Sequence, residues 1–360
     1  MRKKKLRDFW NGKKVFLTGH TGFKGCWLML WLEMLGAEVY GYSLEPSEPS
    51  LFRSAIPPDE KRGVYADIRD ARKVADEIYS FSPEIVFHLA AQPLVRESYK
   101  DPVLTYQTNV MGTVSVLEAI RAAKTVRAAV IVTTDKCYRN MEWEWGYRET
   151  DALGGEDPYS SSKSCAELIC EAYRTSFFKD SDTRLATARA GNVIGGGDWA
   201  EDRLIPDAIR AFEGGRTLAV RSPDAVRPWQ YVLEPLRGYM MLAEHLRGEG
   251  GDYAAAWNFG PSPEDARNVG HVVNRLAELW GNGAKYEADR DDAFHESLFL
   301  RLDSSRAIQK LGWRQMLNFS EAISLTVKWY RDVSLGADAA DTTKGQISLY
   351  MDRLDTDIKN

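Results

Sequence analysis

Two short stretches hold side chains suited to chemistry at a carbon that bears a hydroxyl: Thr134-Asp135-Lys136 and Tyr159-Ser-Ser-Ser-Lys163, with Tyr159 following Asp135 by 24 residues. Hydride leaves a secondary alcohol only when a base takes the hydroxyl proton. Tyrosine, with a reference pKa of about 10, is a poor base near neutrality, and bringing it to about 7 takes about 4 kcal/mol. One ammonium at about 4 Å, at an effective dielectric of about 20, supplies about that much. Lys163 stands one helical turn after Tyr159 on the same face, so it is predicted to activate the phenol, with Thr134 sharing the proton by hydrogen bonding. Asp135, if protonated, can donate to a departing hydroxyl. The Tyr-x-x-x-Lys spacing is common by chance, so its meaning rests on what positions it.

The positioning elements follow from hydrophobic periodicity. Thr134 closes the apolar run Ala128–Thr134, and Tyr159 opens a helical pattern. Apolar strands are predicted at Val15–Thr18, Glu38–Tyr42, Gly63–Ala66, Ile85–Leu89, Ala129–Thr133, Leu185–Arg189 and Ala256–Phe259. Helical stretches at about Gly25–Leu35, Ala71–Tyr79 and Pro102–Ala123 separate several of them. Strands apolar on both faces belong in a covered parallel sheet, and this alternation predicts an α/β fold, a Rossmann-type doubly wound parallel sheet. After about Ala190 the texture changes to Gly-rich loops and Arg/Pro/Trp-containing connections, which predicts a smaller, interleaved C-terminal substrate lobe. The expected division is a dinucleotide-binding domain at 1–190 with return segments about 228–260, a substrate lobe at 191–227 and 261–345, and a polar tail at 346–360 with a short helix near Gln346–Leu354.

Between the first strand and the first helix lies Gly19-His-Thr-Gly22-Phe-Lys-Gly25. Glycine allows a tight turn and close approach to a pyrophosphate, and the helix start offers free N–H groups and a positive dipole end. In this strand–loop–helix setting a dinucleotide is the expected ligand. The acidic residue that would hold the adenosine ribose is displaced: the second strand runs out at Tyr42-Ser43-Leu44, and Glu45 precedes Pro46. Ser43 or Glu45 is left to serve. Arg53 reads as a surface ion pair rather than a 2′-phosphate ligand. Asp67-Ile68 can contact adenine or cap a helix. The small residues of His88-Leu89-Ala90-Ala91-Gln92 would let a cofactor lie close.

Bulk properties narrow the partners. The 360 residues are 44% hydrophobic and 28% charged with a net charge of −5, an ordinary globular composition that argues against nucleic acid as the main partner. No run of eighteen apolar residues predicts a membrane span. Met1–Arg7 is basic but lacks an apolar h-region, so a solvated tail is expected rather than a secretory signal. Cys26, Cys137, Cys165 and Cys170 show neither Cys-x-x-Cys spacing nor a His cluster; no metal site or disulfide framework is expected, and a cytoplasmic location is the default.

At these residues the chain resembles the extended short-chain dehydrogenase/reductase family, over nearly its whole length. The segments that carry the resemblance are Gly19–Trp27, Thr133–Tyr138, Asn192–Trp199 and Arg227–Pro235; the glycine loop and Tyr-x-x-x-Lys mark only the superfamily, whereas the Thr-Asp-Lys and Arg-Pro-Trp segments are far more specific. The resemblance implies NAD as cofactor and a nucleotide-activated hexose as substrate, CDP-glucose first, with UDP-N-acetylglucosamine or dTDP-glucose dehydration and 4-epimerisation as alternatives. It implies a 4,6-dehydration that feeds deoxysugar biosynthesis: Tyr159 takes the 4-hydroxyl proton, Asp135 protonates the departing 6-hydroxyl, and Lys136 removes the carbon-5 proton or steadies the enolate. Related dTDP-glucose dehydratases carry glutamate at the Lys136 position. The resemblance further assigns Gly19, Thr21, Gly22, Phe23, Lys24, Gly25, Asp67, Ile68, Leu89, Ala90, Ala91, Thr108, Tyr159 and Lys163 to the cofactor. Gln92, Asn192, Arg203, Arg221 and Arg227 go to the substrate, with Arg301 a further phosphate candidate. It also implies a homodimer, or a dimer of dimers, built on the helices at Pro102–Ala123 and Asp157–Phe178.

Overall fold

The computed structural model describes residues 3–57, 62–248, 251–288 and 299–356. Six strands come first: β1 Lys14–Thr18, β2 Glu38–Ser43, β3 Gly63–Tyr65, β4 Ile85–His88, β5 Ala128–Val132 and β6 Arg184–Ala190. They are followed by β7 Asn192–Ile194, β8 Leu218–Val220, β9 Val226–Tyr231, β10 Ala256–Phe259, β11 Ala266–Asn268 and β12 Tyr286–Ala288. Seven of these form one sheet in the order β10-β6-β5-β4-β1-β2-β3, and every pairing in it is parallel. The chain order reverses between β1 and β4, which is where open α/β sheets bind ligands at their carboxyl ends.

Side-chain alternation explains why both faces are covered. Val15, Leu17, Ile85, Phe87, Val130 and Val132 join one buried cluster. Phe16, Val86, Ala129 and Ile131 join another, with Val74 and Ile78 of one helix and Val116 and Ile120 of a second. The helix Phe23–Met34 is buried continuously from Gly25 to Leu32. A helix apolar all round must be covered all round, so the sheet alone does not suffice. The helix Ala339–Thr356 covers its outer side, with Trp31 meeting Tyr350 edge-on at 5.6 Å.

That packing corrects two expectations. Residues 346–356 are no tail: Ile347, Tyr350, Met351 and Leu354 are buried on one face of the helix Ala339–Thr356. The basic start is no solvated tail either, because Lys3–Trp10 is helical with Leu6 and Trp10 fully buried; Met1 and Arg2 lie outside the described residues.

The second lobe is built on two small sheets, β11-β9-β7 and β12-β8. β7 follows β6 after only Gly191, so the three-stranded sheet begins where the large sheet's β6 ends.

Candidate active site

In register, Thr18 is level with His88 and His88 with Ile131. The carboxyl ends of β1, β4 and β5 therefore lie side by side and bring together the segments Gly19–Gly25, Leu89–Gln92 and Thr133–Lys136.

The first segment fits a dinucleotide. Gly19 has φ +78°, and a Cβ there would stand 2.7 Å from the Ala90 nitrogen; only glycine tolerates both. A Cβ on Gly25 would lie 2.0 Å from the Gly19 carbonyl oxygen. Gly22 caps the helix Phe23–Met34 without a side-chain hydrogen bond, leaving the positive helix end open to a diphosphate. Thr18 Oγ1 accepts from the Leu89 and Ala90 N–H groups at 3.1 Å and bonds His88 Nδ1 at 2.7 Å. His88 Nε2 meets Thr113 at 3.2 Å, and burial holds this imidazole neutral, at about 3. The β4 end is thus pinned to β1, with Leu89, Ala90 and Ala91 half-buried beside the loop.

At the end of β2 the buried Ser43 Oγ accepts from the Thr21 N–H at 3.4 Å, while the Thr21 hydroxyl donates to the Leu44 carbonyl. Glu45 is held by Arg53 at 2.9 Å, and Arg53 also reaches Glu48 at 3.2 Å, so Arg53 is the surface ion-pair partner. Asp67 is forked onto Arg69 at 3.0 and 2.6 Å. With Arg69, Asp70, Gln107 and Met111 it lines a cavity of about 500 Å³. Ile68 is buried against Gly112, where a Cβ would stand 2.8 Å from Ile68 Cγ2. Thr108 is half-buried in the wide turn Gln107–Met111.

At the end of β5, Thr134 opens a single tight turn, Asp135–Cys137. Its Oγ1 accepts from the Lys136 N–H at 3.3 Å and donates to Asp135 Oδ1 at 2.9 Å. The same hydroxyl favours the ionised Tyr159 phenol, against the larger effect of burial. Asp135 is 3% exposed, and its Oδ2 is buried without a hydrogen-bond partner. A Cβ on Gly191 would come within 2.8 Å of that oxygen, so glycine there makes room for the carboxyl. Burial pushes Asp135 above the usual carboxylate range, against the opposing Lys136 charge and the Thr134 hydrogen bond. The shift favours a protonated, donating acid. Lys136 is half-buried, and among the described residues no hydrogen bond or ion pair holds its ammonium.

The Tyr159–Lys163 pair departs from expectation. Lys163 Nζ donates to the Val132 carbonyl at 3.3 Å, and burial lowers it to about 8. Tyr159 is pushed up to about 12 by burial, opposed by Thr134 and by the Arg203 charge. Helical spacing put Lys163 on the right face, but the strand-end carbonyl captures its ammonium and the protein interior penalises the phenolate.

Lys24 lies deeper than a loop lysine ordinarily does. Its Nζ meets the Tyr239 hydroxyl at 3.5 Å and stands 5.7 Å from that ring's centre. Burial, together with the Lys163 and Arg203 charges, lowers it to about 7. Tyr239, from the helix Leu233–Gly248, was not foreseen: nothing local in the sequence ties it to a loop 215 residues earlier.

The substrate candidates divide. Arg203 pairs with Asp198 at 2.9 Å near Tyr159. Arg221 pairs with Asp202 at 3.2 Å, as does Arg96 at 3.2 Å. Arg227 bonds the Val226 carbonyl at 3.0 Å and acts on Asp135 through its charge. Asn192 is half-buried where β7 starts, level with Trp229. Gln92 is corrected: its amide is spent on Leu94 and Thr105 at 2.6 to 3.1 Å, which shapes the loop after β4. Trp229 is buried and bonded to the Arg267 carbonyl, and Trp199 packs edge-on to Tyr330, so both aromatics fill the lobe.

Behind Thr134 runs a buried network that motif reading missed. Glu167 takes a fork from Arg189 at 2.9 and 2.8 Å and hydrogen bonds from Thr133 and Thr187. Arg189 continues to the Tyr138 hydroxyl at 2.5 Å. These bonds fix the strand end from which Thr134 and Asp135 project. The available signal was Glu167 one turn beyond Lys163 on the same helix face. Cys26, Cys137 and Cys170 are buried free thiols, and burial raises the Cys137 thiol well above its ordinary value. Among the described residues no three His, Cys, Asp or Glu side chains could hold a metal ion.

Comparison with known proteins is consistent across sequence and fold. A family model described as GDP-mannose 4,6 dehydratase matches residues 16–326. A CDP-glucose 4,6-dehydratase from Salmonella typhimurium is 49% identical over 351 residues, covering 96% of this chain and 98% of that protein. Among solved structures, an epimerase from Methanothermobacter thermautotrophicus has a TM-score of 0.81 at 22% identity over 92% of this chain and 96% of its own. A dTDP-glucose 4,6-dehydratase from Streptomyces venezuelae, solved with NAD bound, has a TM-score of 0.75 at 24% identity over 89% and 97%. At these identities the two structures establish a shared fold.

Proposed function

The chain belongs to the GDP-mannose 4,6 dehydratase family, and from that premise we propose that it converts CDP-D-glucose into CDP-4-keto-6-deoxy-D-glucose by NAD-dependent loss of water. The observation that carries the substrate is the near-full-length 49% identity to a CDP-glucose 4,6-dehydratase. Chemistry at the site supports the reaction type. A 4-epimerase needs the Tyr159 base but no acid beside it, whereas here Asp135, hydrogen-bonded to Thr134 and with one buried oxygen left without a partner, is close enough for its charge to act on Tyr159.

NAD, when bound, accepts the hydride from carbon 4 and supplies it to carbon 6, and its positive ring favours the Tyr159 phenolate that burial disfavours. Gly19, Gly22 and Gly25 give its diphosphate room and a helix end, with Thr21, Phe23 and Lys24 between them. Asp67, Ile68 and Thr108 lie on the side where the adenosine would rest, and Leu89, Ala90 and Ala91 line the floor. Tyr159 removes the 4-hydroxyl proton. The ketone then acidifies carbon 5, Lys136 takes that proton or steadies the enolate, and Asp135 protonates the departing 6-oxygen. Asn192, Arg203, Arg221 and Arg227 bind the nucleotide sugar, the arginines matching its diphosphate oxygens.

A second copy of the chain is proposed to cover Tyr99, Val103, Tyr106, Met111, Leu168 and Phe177, which are exposed on neighbouring helices, giving a homodimer or a dimer of dimers. No described helix is long and apolar enough to cross a membrane, and four free thiols suit a reducing cytoplasm. The test is to offer CDP-, dTDP-, UDP- and GDP-hexoses with NAD. Conversion of CDP-glucose to the 4-keto-6-deoxy product ahead of the others supports the proposal; an epimer, or preference for another nucleotide, contradicts it.

A further inference from the structure

We propose that Gly191 and Pro228 form the seat of the Asp135 carboxyl, and that Gly191 is a positioning residue for the loss of water. The proposal rests on the dehydration proposed above. In that step the carbon-5 proton passes to the base, the carbon 5–carbon 6 double bond forms, and the carbon 6–oxygen bond breaks. The Asp135 proton goes to the departing oxygen, water leaves, and the carboxyl is left ionised. A carboxyl gives that proton only where it meets the 6-oxygen, so its placement matters as much as its protonation.

The two carboxyl oxygens are held in different ways. Oδ1 accepts from the Thr134 hydroxyl at 2.9 Å. Oδ2 is buried without a hydrogen-bond partner, so shape alone places it. Gly191 is the single residue between β6 and β7. Asn192 is level with Trp229, which brings Gly191 opposite Pro228. A Cβ on Gly191 would stand 2.8 Å from Asp135 Oδ2 and 2.8 Å from Pro228 Cγ. The backbone there does not demand glycine, since Gly191 is not among the residues with positive φ; the demand is for space. Pro228 is just as particular. It is buried in β9, the middle strand of β11-β9-β7, a place where proline is seldom found. The pairing of β9 with β7 starts only at Trp229, so the proline ring lies beside the β6–β7 junction and outside that ladder. A side chain at Gly191 would meet a ring fixed in a strand on one side and a rotatable carboxyl on the other. The carboxyl is what moves. Tyr159 stands on another element, the helix Pro158–Ser176, so oxidation should survive the change.

The experiment compares wild type, Gly191→Ala, Asp135→Asn and the double variant as NAD-loaded enzymes with CDP-glucose. Transient NADH in a single turnover reports oxidation, and steady-state product reports completed dehydration. Expected for Gly191→Ala is a roughly hundredfold slower release of product, the scale of a misplaced acid, with a much smaller loss of transient NADH. Added to Asp135→Asn, the same change should slow product release no further, because a residue that acts through Asp135 then has nothing left to place. A general loosening of the fold would instead lower NADH and product by the same factor and add to the Asp135→Asn loss. With an active wild type, either of those results, or unimpaired dehydration in Gly191→Ala, overturns the seat alone. If Gly191→Ala fails to fold, judged by lost NAD affinity, Pro228→Ala decides. It removes the other wall and should slow product release at least about tenfold with NADH formation kept; unimpaired release overturns the seat. A wild type that dehydrates no nucleotide sugar overturns the activity itself and the seat with it.

Discussion

At the scale of single residues, the division of labour is set by burial acting on opposite charge types. Burial favours protonated Asp135 and neutral Lys163, the direction needed for an acid and opposite to that for a fixed cation. Asp135→Asn is expected to form transient NADH from the sugar nucleotide yet release product at least about a hundredfold more slowly; stopped-flow absorbance against product assay separates the steps. Lys163 gives a pH prediction with a definite sign. Its folded value of about 8 lies below the ordinary 10.5, so between these pH values the unfolded chain holds a proton that the folded chain lacks. Stability from this group should therefore rise with pH across that window, by on the order of 3 kcal/mol. Below pH 8 its cost is constant. Denaturant titrations from pH 8 to 10.5 should show that rise reduced in Lys163→Met. The candidate residues of the site were legible in the sequence because they cluster at one strand end and one helix start. The captured Lys163 ammonium and the committed Gln92 amide were not, since both depend on carbonyls and hydroxyls brought in by other segments.

Among the elements, the glycine loop shows how a pattern becomes a site. Gly25→Ala would force a Cβ to within 2.0 Å of the Gly19 carbonyl, so loop and helix must separate. NAD affinity should fall at least about tenfold, or about 1.4 kcal/mol, measured calorimetrically; undiminished affinity would mean that the loop does not hold the diphosphate. The central strands β1, β4 and β5 were legible because their residues are apolar on both faces. The single helix expected at Pro102–Ala123 is interrupted by the wide turn Gln107–Met111. The cause lies elsewhere in the chain: Asn109 must exchange hydrogen bonds with the Gln92 backbone and reach Ser162, a demand that periodicity does not record.

For the molecule as a whole, the misread tail is the instructive element. Its buried residues Ile347, Tyr350, Met351 and Leu354 recur at helical spacing, but Asp, Thr and Lys neighbours dilute the pattern. What they cover is the outer face of the helix Phe23–Met34, so the polar-looking end of the chain supports the element that carries the cofactor loop. Glu234 ties these parts together, accepting from the Met316 and Leu317 N–H groups and from the Tyr350 hydroxyl at 2.8 to 3.0 Å. Tyr350→Phe leaves a buried carboxyl oxygen unpaired and should cost about 1–3 kcal/mol in denaturant unfolding, with the reaction unchanged in kind. The central claim, that oxidation here is a temporary means of expelling water, is tested most directly with CDP-glucose carrying deuterium at carbon 4. The account predicts that the product carries that deuterium at carbon 6, with no net NADH. Deuterium lost to added cofactor, or retained at carbon 4 of an epimer, would contradict it.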